Sequence, residues 1–294
     1  MTPDLLFALP GNETQAKQLA DALGCKTGAL TTRKFPDGET YLRFDSAIEG
    51  KHIALVSTLN DPDAKIVPLL FAANAARTMG ASKIGLSAPY LAYMRQDRSF
   101  HPGEAVTSRA MAALVSQYFD WMVTVDPHLH RYKSMAEIYT IPVTAVHAAP
   151  ALSAWIAAQV KNPFLIGPDE ESAQWVSETA RGLGAPYATL EKIRQGDRVV
   201  TVSAPDVAVI GDRTPILLDD IISSGQTMLE VVKLLRAKGI EHPICLAVHG
   251  LFAGHSDRAL TELGARIVTA SSVPGPFAQI DLTRLIADGI RQTA

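Results

Sequence analysis

Two adjacent carboxylates, Asp219 and Asp220, end an apolar run and lead through small residues into a helical pattern, in the segment ILLDDIISSGQTM. Backbone amides at such a helix N-terminus can hold a phosphate, and nearby hydroxyls add hydrogen bonds. The residues of this turn are Ser223, Ser224, Gly225, Gln226 and Thr227. The carboxylates are then placed to bind sugar hydroxyls, directly or through a metal ion. The segment predicts a site for a phosphorylated sugar, and an acidic strand end followed by a capped helix is the alternative.

Polar residues also follow two other apolar runs. Asp169 follows the run FLIG, and Asp126 and His128 follow the run MVTV in the segment TVDPHLH. The carboxyl ends of strands in open α/β sheets usually face the ligand crevice. A carboxylate suits Mg²⁺, whereas histidine is an unusual ligand for so hard an ion, so a contact from His128 could run through water or a phosphate oxygen. Glu170 and Glu171 are predicted to be solvated surface residues.

A pair of cations, Lys192 and Arg194, lies in the sequence between Asp169 and Asp219. If this segment is extended, residues two apart point to the same face. Two cations aimed at a transferring phosphoryl group would stabilise the charge that develops in the transition state. A Lys-x-Arg pair on a polar hairpin is by itself typical of a solvated surface, and its position between the two acidic segments favours a functional role.

Two further segments carry residues that could bind a nucleotide. The segment FPDGE contains the pair Asp37 and Gly38, which by itself predicts only a hairpin turn. Arg95 and Gln96 occur together in the segment YMRQD. A guanidinium has the fixed fork of donors that suits a triphosphate, and a solvated surface arginine is the alternative.

The elements that must position these residues follow a strand, helix, strand rhythm. Short apolar runs such as HIALVST alternate with alanine-rich amphipathic segments, and the same alternation returns after Pro150. This pattern favours parallel sheets covered by helices. We therefore predict two tandem α/β halves, residues 1–146 and 147–294, each a mainly parallel sheet flanked by helices. Glycines close several of the predicted helices, as expected for left-handed residues that follow a helix.

Length and composition agree with two folded domains. The chain has 294 residues, a net charge of -3, 47% hydrophobic residues and 19% charged residues. A basic block or stretch is absent, so neither nucleic acid nor a membrane surface is expected as partner. The only two cysteines, Cys25 and Cys245, show no metal-site or disulfide spacing, and the N-terminus lacks a basic region typical of a signal peptide. We expect a cytoplasmic protein.

The segments FPDGETYLRF, PYLAYMRQDRSFHPGEAVTSR, TVDPHLH and LLDDIISSGQT together resemble the ribose-phosphate diphosphokinases, also called phosphoribosyl diphosphate synthetases. The similarity spans nearly the whole chain. The length of the chain and its HPGE segment resemble those of the shorter, archaeal-type branch of the family. The resemblance implies two phosphoribosyltransferase-like domains, with the nucleotide on the N-terminal side and ribose 5-phosphate on the C-terminal side. It further implies that residues 276–294 pack back on the first domain.

Carried over residue by residue, the resemblance also implies roles for the candidate residues. It assigns ATP binding to Phe35, Asp37, Gly38, Glu39, Arg95, Gln96 and His128. It assigns ribose 5-phosphate binding to Arg194, Asp219, Asp220, Ser223, Ser224, Gly225, Gln226 and Thr227. It makes Lys192 and Arg194 the catalytic cations and His128 and Asp169 the contacts to Mg²⁺. In the family the Phe35 ring stacks on adenine across a subunit interface, so a homo-oligomer is expected.

The reaction that the resemblance implies is transfer of the β,γ-diphosphate of Mg-ATP to the C1 hydroxyl of ribose 5-phosphate, giving phosphoribosyl diphosphate and AMP. Two alternatives stay open. A phosphoribosyltransferase shares the DDIISSGQT loop but does not explain FPDGE, RQD and KxR together. A non-catalytic, synthetase-associated regulatory subunit keeps the fold and damages the site, and Gln226, which stands where the family usually has a second glycine, keeps this alternative open.

Overall fold

The computed structural model describes residues 2–169, 172–190, 192–195, 199–202 and 207–294, without the side chains of residues 174, 192–195, 199–202 and 207. Glu170 and Glu171 lie outside the described residues. The chain divides into two compact units. The first unit comprises Met1–His147 and Thr283–Ala294, and the second comprises Ala148–Leu282.

Strands and helices alternate along most of the described chain, and the longest departures are a run of four strands after the first helix and a run of three strands at residues 187–202. The strands are β1 (Leu5–Ala8), β2 (Lys26–Thr27), β3 (Leu30–Lys34), β4 (Thr40–Phe44), β5 (His52–Val56), β6 (Lys83–Ala88), β7 (Trp121–Val125), β8 (Val143–Val146), β9 (Pro163–Gly167), β10 (Tyr187–Thr189), β11 (Lys192–Gln195), β12 (Val199–Val202), β13 (Thr214–Ile222), β14 (Ile244–Gly250), β15 (Arg266–Ala270) and β16 (Ala278–Ile280). The helices are α1 (Glu13–Leu23), α2 (Pro62–Thr78), α3 (Thr107–Tyr118), α4 (Ala149–Gln159), α5 (Ala173–Leu183), α6 (Val207–Ile210), α7 (Gln226–Ala237), α8 (Ser256–Glu262) and α9 (Thr283–Thr293).

Each unit is built on a parallel sheet. The first sheet has the order β2–β1–β5–β6–β7–β8 and the second has the order β10–β9–β13–β14–β15–β16. All neighbouring strands in both sheets run parallel. Central strands such as β7 are buried along their whole length, because helices cover both faces of such a sheet. The predicted fold class of two α/β halves with parallel sheets is confirmed.

The two units repeat one plan. In each, the second strand in chain order is followed by an antiparallel hairpin, β3–β4 in the first unit and β11–β12 in the second. The helix that follows β8 in the chain, α4, packs against α5 in the second unit. The helix that follows β16, α9, packs against α1, β7 and β8 in the first unit. The C-terminal residues 283–294 thus belong to the first unit.

Glycines end two helices of equivalent position. Gly24 follows α1 with φ 73° and Gly184 follows α5 with φ 64°, and each amide returns to a carbonyl of the last helical turn. This is the left-handed cap that the sequence predicts. Among the described residues, no helix is both long enough and apolar enough to cross a membrane.

Candidate functional site

The paired carboxylates lie at the carboxyl end of β13, the central strand of the second sheet. Asp220 is buried and Asp219 is half-buried, and the Asp220 amide donates to Asp219 Oδ1 at 2.9 Å. Asp169 is also buried, two residues beyond the end of the neighbouring strand β9. Parallel strands bring their carboxyl ends to one sheet edge, which gathers these three acids into one cluster.

The electrostatics of this cluster call for a cation. The pKa of Asp219 is raised well above the usual carboxyl value, first by burial and then by the negative charges of Asp220 and Asp169. A buried carboxylate is costly unless a cation or a proton balances it. The carboxylate oxygens offered by the three acids are the ligands that Mg²⁺ prefers. The residues present therefore fit a divalent cation.

The turn from β13 to α7 keeps its amides open. Gly225 precedes α7 in the left-handed conformation, with φ 66°. The N–H groups of residues 224–227 donate to no acceptor among the described residues, as expected at a helix N-terminus. The carbonyl of Ser223, by contrast, accepts bonds from the Ala253 amide at 2.9 Å and from Ser256 Oγ at 3.2 Å. The turn is thus anchored through its carbonyl and can present its amides to an anion.

Gly225 cannot be replaced without cost. A Cβ atom at this position would lie 2.8 Å from Ser256 Cβ, in addition to the strain of its positive φ. Gln226 occupies the first position of α7, so the chain needs no second glycine there. Its side-chain amide donates to Glu230 Oε1 at 2.9 Å, one helical turn further on.

The two predicted cations lie on the hairpin of the second unit. The backbone of Lys192 and Arg194 belongs to β11, which pairs with β12 with Arg194 opposite Val200. The extended conformation that the sequence argument assumed is therefore present. The side chains of both residues lie outside the described part of the structure.

In the first unit, Phe35 lies at the tip of the hairpin β3–β4. Its amide donates to the Glu39 carbonyl at 2.8 Å, and Gly38 has φ 92°, so FPDGE forms the turn that its Asp-Gly pair predicts. The Phe35 ring is 37% exposed. The Arg33 guanidinium lies 4.5 Å from the Phe35 ring and 4.4 Å from the Tyr41 ring, and the two rings meet edge to face. Sequence reasoning missed this platform of two rings and a cation, although alternate residues of a strand share a face.

The segments after β6 and β7 carry the remaining candidates of the first unit. Arg95 is exposed, and Gln96 Oε1 accepts a bond from Thr107 Oγ1 at 3.2 Å. His128 has φ 55°, and its Nδ1 lies 3.1 Å from His130 Nε2. His130 is thus a direct partner of His128.

An ion pair that the sequence did not suggest joins these two segments. Arg131 donates to both carboxylate oxygens of the buried Asp97, at 2.9 and 3.1 Å. Tyr132 Oη adds a bond to the Asp97 carbonyl at 3.0 Å. The pair fixes the segment after Gln96 to the segment after His128. The position of Asp97 next to Gln96 was the one available hint.

Comparisons with known proteins agree with this arrangement. Residues 5–118 match the family model of the N-terminal domain of ribose phosphate pyrophosphokinase, and residues 134–271 match that of the phosphoribosyl transferase domain. Ribose-phosphate pyrophosphokinases from Methanopyrus kandleri and Halobacterium salinarum are 31% and 30% identical, over 93% and 97% of this chain and 94% and 100% of theirs. The crystal structure of phosphoribosylpyrophosphate synthetase from Mycobacterium smegmatis superposes with a TM-score of 0.84 at 26% identity, covering 98% of both chains.

Proposed function

Since the chain belongs to the ribose-phosphate pyrophosphokinase family, we propose that it transfers the β,γ-diphosphate of ATP to the C1 hydroxyl of ribose 5-phosphate. The products are 5-phosphoribosyl 1-diphosphate and AMP. The predicted family and reaction are confirmed by this membership. The roles of individual residues stay predictions.

The observation that carries the proposal is the acidic cluster of Asp169, Asp219 and Asp220 beside an open turn. The free amides of residues 224–227 suit the 5-phosphate, and the hydroxyls of Ser223, Ser224 and Thr227 can add bonds. Asp219 and Asp220 suit the ribose hydroxyls. One end of this site is therefore selective for phosphate and the other for a polyol or a cation.

The acidic cluster also supports a role for Mg²⁺. We assign Asp169 and His128 as the residues that contact the ion, with Asp219 and Asp220 supplying further negative charge. Mg²⁺ when bound neutralises the diphosphate and orients it. Because imidazole is a poor ligand for this ion, a phosphate oxygen is the alternative partner of His128.

The hairpin β3–β4 and the segment after β6 support ATP binding. We assign the adenosine to Phe35, Asp37, Gly38 and Glu39, where an exposed ring can stack on a base. We assign the triphosphate to Arg95, Gln96 and His128. We further propose a cytoplasmic homo-oligomer, because the family resemblance implies that a neighbouring subunit completes the Phe35 site.

Lys192 and Arg194 are the catalytic cations of the proposal, and Arg194 also contacts ribose 5-phosphate. The C1 hydroxyl oxygen attacks the β-phosphorus, the bond from that phosphorus to the α,β-bridging oxygen breaks, AMP leaves, and the hydroxyl proton is lost to solvent. No covalent intermediate with the protein is formed. Positioning and charge neutralisation supply most of the rate, as in other phosphoryl transfers.

An end-point assay with purified protein, Mg²⁺, ATP and ribose 5-phosphate tests the function. We expect stoichiometric AMP and phosphoribosyl diphosphate, separated by chromatography and identified by phosphorus NMR. Binding of both substrates without turnover would favour the regulatory subunit instead. Formation of a nucleotide from phosphoribosyl diphosphate and a free base would favour the phosphoribosyltransferase.

A further inference from the structure

A cavity of ligand size lies in the first unit, at the carboxyl ends of β1 and β5. Its volume is about 300 Å³, and Pro10, two residues beyond β1, and Ser57, directly after β5, line it. In this sheet β1 and β5 are neighbours. The strand that follows β1 in the chain, β2, lies on one side of this pair, and the strand that follows β5, β6, lies on the other side. Open α/β sheets bind ligands at such a switch point. Among the described residues, none of those proposed above for ATP or ribose 5-phosphate lines this cavity.

One part of the cavity wall is apolar. Leu9, Pro10, Ala64 and Pro68 contribute to it, and the exposed wall is mostly carbon. Ligand pockets of this size are usually apolar with a few placed polar groups. The apolar wall therefore suits a compact apolar body rather than a bare ion.

The charged groups of the cavity all have one sign. Lys34, Lys65 and Arg33 line it, and no acidic side chain does so among the described residues. Lys65 Nζ donates to the Thr58 carbonyl at 3.0 Å and to Asn60 Oδ1 at 2.5 Å, and Lys34 Nζ donates to Thr40 Oγ1 at 2.8 Å. These acceptors are neutral, so they orient the ammonium groups without cancelling their charge.

The environment of Lys65 makes the absence of a negative charge beside its ammonium group costly. The side chain is half-buried, and burial lowers its pKa, an effect that the charge of Asp61 opposes only in part. Asp61 forms no ion pair with Lys65 within 4.0 Å in the described structure. An anion in the cavity would supply the compensation that the protein lacks.

We propose that this cavity binds a small phosphate monoester with an apolar body, its phosphate held by Lys34 and Lys65 and its body by the apolar wall. A monoester is doubly charged near neutral pH, which matches two ammonium groups better than a carboxylate does. The proposal does not depend on the reaction proposed above, because none of the described residues that line the cavity is assigned to ATP or ribose 5-phosphate.

Calorimetric titration of the full chain with phenyl phosphate tests this site. We expect binding that persists when ribose 5-phosphate is saturating, and that weakens about tenfold in Lys34→Gln and in Lys65→Gln. Lys17→Gln, which removes an exposed lysine of α1, is the matched control and is expected to bind as the parent does. Inorganic phosphate and phenol, each of which carries only one part of phenyl phosphate, are expected to bind more weakly.

Several results would overturn the proposal: no binding of phenyl phosphate, equal affinity of the parent and Lys34→Gln, displacement by ribose 5-phosphate, or equally tight binding of benzoate. Thermal melting shows whether Lys65→Gln still folds, since its ammonium group bonds to the backbone. The Lys34 side chain is exposed and, among the described residues, bonds only to Thr40, so Lys34→Gln decides the outcome if the other variant unfolds.

Discussion

The turn from β5 to α2 in the first unit and the turn from β13 to α7 in the second occupy equivalent positions in sheets of the same strand order. After β5 the amides are taken: Ser57 donates to the Ser87 carbonyl, Thr58 to Asn12 Oδ1 and Leu59 to the Tyr90 carbonyl. After β13 the amides of residues 224–227 stay open. A phosphate site built from backbone amides thus depends on which hydrogen bonds the surrounding chain leaves unmade, and not on the fold alone.

The two turns also differ in the charged residues that lie beside them. The second turn follows Asp219 and Asp220, whereas the first begins with Ser57 and Thr58 and leads into α2, which carries Lys65. Both equivalent hairpins carry two cations, Arg33 and Lys34 on β3 and Lys192 and Arg194 on β11. One plan therefore yields an acidic, amide-lined site in the second unit and a cationic cavity in the first.

Removal of a catalytic cation is expected to have the largest effect. Lys192→Ala should lower kcat by about 100- to 1000-fold and leave both KM values within a few-fold, since the charge it stabilises develops in the transition state. Steady-state kinetics with both substrates provide the measurement. Lys161→Ala, an exposed lysine of the same unit, is the control. Equal losses of affinity for both substrates at unchanged kcat would contradict the assignment.

Closing the open turn should have the next largest effect. Gly225→Ala strains a positive φ and pushes against Ser256, so we expect the amides to move and the KM for ribose 5-phosphate to rise by about 10- to 100-fold. Gly239→Ala is the matched control, because Gly239 also has a positive φ but a Cβ there meets nothing within 4 Å. Similar KM values in the two variants would show that the turn is not the phosphate site.

Opening the closed turn tests the comparison from the other side. Asn12 is buried, and besides accepting from Thr58 it donates to the carbonyls of Leu9 and Pro10 at 3.2 Å each. Asn12→Ala removes these three side-chain hydrogen bonds from a buried position and should lower the free energy of unfolding by about 2 kcal/mol, measured by urea denaturation. Asn74→Ala, exposed on α2, should have little effect. We expect the KM for ribose 5-phosphate to be unchanged. An increase would show that the first-unit turn also takes part in binding ribose 5-phosphate, which the comparison excludes.

The features formed within one short segment could be predicted from the sequence, and the contacts between distant segments could not. The apolar run that ends in Asp219 and Asp220 gives strand, acids and turn within one short segment, so periodicity and composition suffice. The bond from Thr58 to Asn12 joins residues 46 apart, and the pair Arg131–Asp97 joins residues 34 apart. Such contacts depend on how strands assemble, and neither residue type nor spacing indicates them.

The smallest effect concerns the stability that the acidic cluster costs. Folding raises the pKa of Asp219, so it favours the protonated form; stability is greatest below the unfolded pKa and falls as pH rises through the folded value. Asp219→Asn retains an oxygen for the Asp220 amide but removes the charge. At pH 8 without Mg²⁺ we expect it to stabilise the protein by about 1 kcal/mol, or roughly 2–4 °C in Tm.

Thermal melts at pH 5 and pH 8, with and without MgCl₂, measure this effect. The advantage of the variant should be smaller at pH 5 than at pH 8, because the raised pKa of Asp219 favours its neutral form as the pH falls, and it should also shrink at pH 8 when Mg²⁺ neutralises the parent cluster. Asp257→Asn, half-buried on α8 and outside the acidic cluster, is expected to show neither dependence. A variant less stable than the parent at pH 8 without Mg²⁺ would mean that the Asp219 charge is already compensated within the protein, and the argument for a cation at this cluster would fail.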